Sequence, residues 1–279
     1  MTIQTPPPDF SADRAHYDLS DDFFRCCLDP SMSYSCGYFE TAKETLEEAQ
    51  MAKIDQALRF LDIKPRDRLL EVGCGWGATA KRAVEKYGAS YIGLTLSLHH
   101  AEHTRSVTEG LKNVEIRVEG WETFDQPCDK IVSFGAFEHF TSPKYDAFFG
   151  RCRAFMPLKG RLALQTITQG RRTSSFAFGK HVRFMVTRVF PGANIPRPED
   201  VVRASREQGF ELVRAESLRF HYARTLEAWA ANLEKNREAA IRATNERIYD
   251  DFLNRYLRNS AAYFRSGEAG AHTFLFEAY

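Results

Sequence analysis

From Thr45 to Leu61 apolar side chains recur every three or four residues, which gives a helix one buried face. Thr45 followed by Glu48 supplies a capping box at its start. A shorter helical pattern covers Asp18–Leu28, and the aromatic and small residues of Met32–Phe39 read as a loop between the two. The centre of the chain alternates strand and helix. Leu69–Val72 precedes a helix over Ala78–Tyr87, then come a strand Tyr91–Thr95, a helix Leu98–Leu111 and a strand Val114–Val118. An apolar run Lys130–Phe134, a helix Lys144–Phe155 and a strand Arg161–Thr166 follow.

Strands separated by helices of this length predict an α/β fold with a doubly wound, mostly parallel sheet. Right-handed crossovers set the loops after successive strands along one edge of it. The alternation breaks after Thr168. Phe176–Phe190 reads as an amphipathic helix heavy in aromatics, ended by Phe190-Pro191-Gly192. A helix Pro198–Gln208, a strand Glu211–Leu218, a largely helical stretch Leu226–Phe264 and a last strand His272–Phe276 complete the pattern. The expected organisation is a disordered tail over residues 1–12 and a single domain over 13–279. Within that domain lie a helical cap (13–62), a ligand-binding core (63–168), an inserted lid (169–197) and a returning core segment (198–279). Aromatic insertions between core elements suit lids over an active site, and equally a helix that packs on the sheet.

The first strand runs directly into Gly73-Cys74-Gly75-Trp76-Gly77. Glycine lets a ligand lie against bare backbone, and the following helix aims unpaired N–H groups at it. The spacing is G-x-G-x-G and differs from the G-x-G-x-x-G that cradles a pyrophosphate. Glu71, just ahead of the first glycine, would repel phosphates. The ligand this favours has a positive centre and no phosphate, as S-adenosylmethionine (SAM) does.

Composition narrows the partners. Thirty-eight basic side chains against thirty-seven acidic leave no bulk attraction to nucleic acid. Between Gln169 and Thr225, however, eleven Lys/Arg face five Asp/Glu, which suits either a solvated surface or a dock for an anionic headgroup, diphosphate or carrier. Six cysteines show no C-x-x-C spacing, so neither a zinc site nor a disulfide scaffold is indicated. No run reaches the roughly 18 apolar residues of a bilayer span, and the N-terminal residues lack a signal core, so a cytoplasmic setting is expected.

Dinucleotide folds place an acid at the end of the second strand for the ribose hydroxyls. Here that strand ends Gly93-Leu94-Thr95-Leu96-Ser97, so Thr95 and one of His99 or His100 must serve. After the third strand, Glu119-Gly120-Trp121-Glu122 offers a ring to stack on adenine and a carboxylate for its amine; Trp121 suits a core equally well. The fourth strand ends Gly135-Ala136-Phe137-Glu138-His139-Phe140. A Glu among apolar residues is desolvated unless paired and then holds its proton more tightly, which tunes it as a general base; a helix-capping or salt-bridging Glu is the other reading.

These segments resemble the mycolic acid and fatty acid cyclopropane synthases. The likeness is carried by His16–Phe24, Tyr34–Phe39, Thr45–Gln50, the glycine turn, Gly93–Ser97, Gly135–Phe140, Phe190-Pro191-Gly192 and His221–Leu226. It implies a Rossmann-like class I methyltransferase that moves a methyl group from SAM to a carbon–carbon double bond. By resemblance, Tyr34, Ser35, Gly73, Gly75, Thr95, Trp121 and Glu122 contact SAM, with Glu71, Leu96, His100 and Ala136 beside them. Cys36, Tyr222 and Glu138 match positions that hold a bicarbonate ion, thought to accept the proton lost on ring closure. Tyr17, Tyr34, Phe137, Phe184 and Tyr222 are the aromatic faces available to an apolar chain and its carbocation.

The chain departs from that pattern at three places. Gln165 stands where bicarbonate-binding relatives carry a histidine; it can donate a hydrogen bond to the anion but cannot relay a proton. The segment from Thr168 to Phe190 is shorter than in the mycolic enzymes. Ser260 stands where several have a cysteine. The expected activity is therefore carbon methylation of an alkene in an apolar lipid or prenyl chain, giving a cyclopropane or a methyl branch. Small-molecule N- or O-methylation, or SAM binding without catalysis, are the alternatives on the same core.

Overall fold

The computed structural model describes residues 20–41, 43–170 and 175–279. The expected tail and Tyr17 lie outside them. The first helix, α1 (Asp21–Arg25), is shorter than its pattern and starts at Ser20, whose side chain accepts from Phe23 N. α2 (Leu46–Phe60) carries the capping box as expected: Thr45 Oγ1 accepts from Glu48 N, and Glu48 Oε2 accepts from Thr45 N.

Seven strands form one sheet in the order β3-β2-β1-β4-β5-β7-β6. These are β1 (Arg68–Val72), β2 (Ser90–Thr95), β3 (Val114–Val118), β4 (Lys130–Phe134), β5 (Arg161–Gln169), β6 (Phe210–Ser217) and β7 (Ala269–Ala278). β1 to β5 pair in parallel, and β7 runs antiparallel between β5 and β6. β5 and β7 are longer than their apolar patterns because they pair along nine residues, from Arg161–Glu277 to Gln169–Ala269.

Strand side chains alternate between two cores, as period-2 geometry requires. Leu69, Tyr91, Val132, Ala163 and Leu275 pack with α2 and with α3 (Ala78–Tyr87) and α4 (Leu98–Val107). Leu70, Ile92, Ile131, Leu162 and Phe274 pack with α5 (Lys144–Phe155) and, after α6 (Phe176–Phe184), with α7 (Pro198–Glu207). Asp55 ties α2 to α3: its carboxylate accepts from Arg82 Nε at 2.8 Å, Arg82 Nη2 at 2.6 Å and Lys86 Nζ at 2.8 Å.

A third core sits over the carboxyl ends of the strands. It joins α1 and residues 26–36 to α8 (Arg219–Lys235), α9 (Arg237–Ala243), α10 (Glu246–Asp250) and α11 (Asn259–Ser266). A π-helical stretch, Asp251–Arg258, links α10 to α11, and another, Met185–Val189, extends α6. Among the described residues no helix is long and apolar enough to cross a membrane.

Candidate active site

The turns after β1 to β4 open onto a cavity of about 400 Å³. Gly73 adopts φ +86°, and a Cβ there would lie 2.9 Å from the Ala136 Cβ, so the turns after β1 and β4 meet too closely for a side chain. Around this cavity the fold gathers every residue expected at the cofactor. Tyr34 and Ser35 come from the cap; Glu71, Gly73 and Gly75 from the first turn; Thr95, Leu96 and His100 from the second. Trp121 and Glu122 follow β3, and Ala136 follows β4.

Glu71 is buried, with Oε1 accepting from Thr79 Oγ1 at 2.9 Å and Oε2 from Tyr91 Oη. Burial pushes its carboxyl up to about 7 against those hydrogen bonds. A positive centre placed nearby would restore the carboxylate. Burial likewise brings His100 down to about 4, leaving a neutral ring whose centroid lies 4.2 Å from that of Trp76. Trp76 Nε1 donates to Asp21 Oδ1 at 2.9 Å, fastening α1 over the glycine turn. Glu122 pairs with Lys144 at 3.0 Å, and Trp121 lines the cavity while packing on Phe140 and Phe148.

A second cavity of about 530 Å³ lies under α6 and is largely apolar. Phe178, Val182, Met185, Phe190, Tyr222, Leu226 and Phe264 line it. Ser260 is there too, its Oγ 3.1 Å from His181 Nε2, a ring that burial brings down to about 4.

The two cavities share a wall. Tyr34 and His139 face the first, Phe190 and Tyr256 the second. Tyr34 Oη donates to Tyr256 Oη at 3.1 Å, and the Phe190 ring centroid is 5.8 Å from that of Tyr256 and 6.2 Å from that of His139. Glu138 stands in the same partition, between Ala136 and His139 of the first cavity and Ile167 and Asn194 of the second. Its Oε1 accepts from Ile167 N at 2.6 Å, and its main-chain carbonyl accepts from Asn194 N at 2.7 Å. Burial raises the Glu138 carboxyl, and its Oε2 is buried without a hydrogen-bond partner among the described residues.

Two further expected residues lie behind the wall. Cys36 is buried in the cap, its Sγ 3.9 Å from the Leu218 carbonyl that also accepts from Tyr222 N. Burial pushes its thiol far up, so the group is a neutral donor. Gln165 is buried on β5, two residues before Ile167, and lines neither cavity. The row Ile167, Ala271, Leu218 connects the two sides: Ile167 pairs with Ala271, whose carbonyl accepts from Leu218 N.

The aromatic expectations need correction. Phe137 is fully buried and lines neither cavity; a 3₁₀ turn, Phe137–His139, turns its ring into the α5 core, stacked 4.5 Å from Tyr145. Phe184 also misses both cavities, because it packs against the C-terminal helices with the Arg255 guanidinium 4.1 Å over its ring. Their places are taken by Phe190, Tyr256 and His139. Lys53, unmarked in the sequence, lines the first cavity from α2.

This sheet order, with a glycine turn at the end of β1 opening onto a cavity, is that of the class I methyltransferases. Residues 4–274 match the family described as mycolic acid cyclopropane synthetase. Cyclopropane mycolic acid synthase 1 of Mycobacterium tuberculosis is 44% identical over 278 residues, covering 96% of each chain. The structure of mycolic acid cyclopropane synthase CmaA1 complexed with SAH and CTAB aligns with a TM-score of 0.93 at 43% identity, over 98% of this chain and 99% of that one. The cyclopropane synthase MmaA2 from Mycobacterium tuberculosis gives 0.94 at 41% identity, over 97% and 98%. The chain belongs to the mycolic acid cyclopropane synthetase family and is a SAM-dependent enzyme.

Proposed function

We propose that the enzyme methylates a carbon–carbon double bond of an apolar lipid or prenyl chain held in the second cavity. The observation that carries this reading is the aromatic partition of Tyr34, His139, Phe190 and Tyr256, with the buried Glu138 set in it. SAM supplies an electrophilic methyl group. The alkene carbon takes it, the carbon–sulfur pair stays with sulfur, and a positive charge develops on the neighbouring carbon.

An alkene is a weak nucleophile, so the two cavities contribute alignment above all. The rings of the partition face the developing cation and exclude water that would trap it. Loss of a proton from the added methyl closes a three-membered ring; loss from an adjacent carbon leaves a methyl-branched alkene. Glu138 is the carboxylate at hand for that proton. Bicarbonate is the alternative that the family resemblance suggests: Glu138 Oε2 is a buried oxygen with no hydrogen-bond partner among the described residues and Tyr222 lines the second cavity, whereas Cys36 is a neutral thiol behind the partition, on the Leu218 carbonyl. When bound, the ion would supply a base.

Lys180, Arg183 and Arg188 follow exposed Phe176 along α6 and its extension, and α6 has no buried residue. This face suits a substrate carried on an anionic headgroup or carrier. Incubation with methyl-labelled SAM and candidate alkenes, read by mass spectrometry and NMR, tests the activity. Label on a ring or branch carbon is expected; label on nitrogen or oxygen overturns the reading.

A further inference from the structure

Lys53 projects from the middle of α2 into the first cavity and is 4% exposed. Its Nζ donates to Ser35 Oγ at 2.8 Å and lies 4.7 Å from the centroid of the Phe134 ring. The carboxylates whose charge reaches it are occupied elsewhere. Asp29 accepts from Ser31 and Ser33, and Glu71 accepts from Thr79 and Tyr91. Among the described residues no carboxylate forms an ion pair with Lys53. A buried ammonium without a counter-ion is expensive, and burial pulls this one down to about 8.

The cavity's ligand brings the missing charge, since the methionine end of SAM carries an α-carboxylate. We propose that Lys53, together with the Ser35 hydroxyl it holds, is the binding site for that carboxylate. The assignment rests on SAM occupying this cavity and is independent of the alkene reading. It explains why a lysine stays buried in the α2 face of the core, where leucine or methionine would pack without desolvating a charge. It also gives Ser35 its orientation: the ammonium takes one lone pair of Oγ, which leaves the hydroxyl proton to be donated into the cavity.

The test compares S-adenosylhomocysteine with S-adenosyl-3-thiopropylamine, the same thioether lacking only the carboxylate, by titration calorimetry. Wild-type protein is expected to bind the first about 30-fold or more tightly than the second, the range for truncating one member of a buried charge pair. In Lys53→Gln that ratio should shrink to within about 3-fold, through loss of affinity for S-adenosylhomocysteine alone. Equal wild-type affinities overturn the proposal without needing any variant to fold. A ratio that survives in Lys53→Gln overturns it too, and assigns the carboxylate to the N-terminus of α3. Equal losses for both ligands reduce Lys53 to a support of the cavity wall. Failure of wild-type protein to bind S-adenosylhomocysteine at all would instead strike the SAM assignment.

Discussion

Tyr34 and Tyr256, separated by 222 positions in the sequence, meet hydroxyl to hydroxyl at 3.1 Å. One ring lines the first cavity and the other the apolar cavity, so their contact is where cap and C-terminal helices meet between the two. Phe190 completes that seam.

Phe190→Ala should open the seam to water. The expected result is a drop of about tenfold or more in kcat, the scale of misaligning reactants that must meet in a near-attack pose. A hydroxylated, methyl-branched product should accompany it as water captures the cation. Product analysis by mass spectrometry checks this; an unchanged product mixture would show that Phe190 does not guard the cation.

Glu138→Gln should lower kcat by about 10²–10⁴-fold, the usual contribution of a positioned base. Affinity for S-adenosylhomocysteine should be unchanged, because the side chain bonds to Ile167 N in the partition and does not line the cofactor cavity. The raised carboxyl also fixes a pH response: wild-type kcat should fall as pH drops through a value above the ordinary glutamate range. The variant's residual rate should lack that limb.

Gly73→Ala places a methyl group against the Ala136 Cβ at 2.9 Å and forces an L-residue to φ +86°. The left-handed conformation alone costs about 1–2 kcal/mol. Loss of S-adenosylhomocysteine binding is expected alongside a lower unfolding midpoint, both measurable by thermal shift with and without ligand.

Asp55 supplies an acid-sensitive joint between α2 and α3. Burial opposes its charge, but hydrogen bonds from Arg82 and then Lys86 prevail and hold the carboxyl at about 2, below its reference of 3.8. Between these values the unfolded chain binds more protons than the folded one. The stabilisation is therefore complete above about pH 4 and disappears as pH falls toward 2. Water around Arg82 and Lys86 limits it to about 1–2 kcal/mol. Urea denaturation of Asp55→Asn should show that deficit at pH 7, with the gap from wild type closing toward pH 2.

Much of the sheet could be read from the residues because its causes are local. The Thr45–Glu48 cap, the alternation in β1, β4 and β5 and the glycine turn each state their geometry within a few positions. What escaped depends on contacts distant in sequence. Lys53 looks like a solvated helix residue until β1, β4 and the cap cover it. Tyr256 lies in a π-helical stretch, which shifts the face that a 3.6-residue period assigns. Phe137 is among the aromatic faces the sequence offers to an apolar chain, yet the 3₁₀ turn buries it in the α5 core while Glu138 stands in the partition. Phe184 is offered by its aromatic character alone, which does not distinguish a lining ring from one packed under Arg255.

β7 enters the sheet between two strands that precede it in the chain. During synthesis, β5 therefore keeps one edge bare and β6 has no neighbour until residues 269–278 emerge from the ribosome. β1 to β5 can already be paired by then, but the platform beneath the C-terminal helices cannot be finished. Release of this segment, and not completion of the nucleotide-type half, sets the moment at which a nascent chain stops presenting the inner edge of β5 and an unpaired β6 to its neighbours.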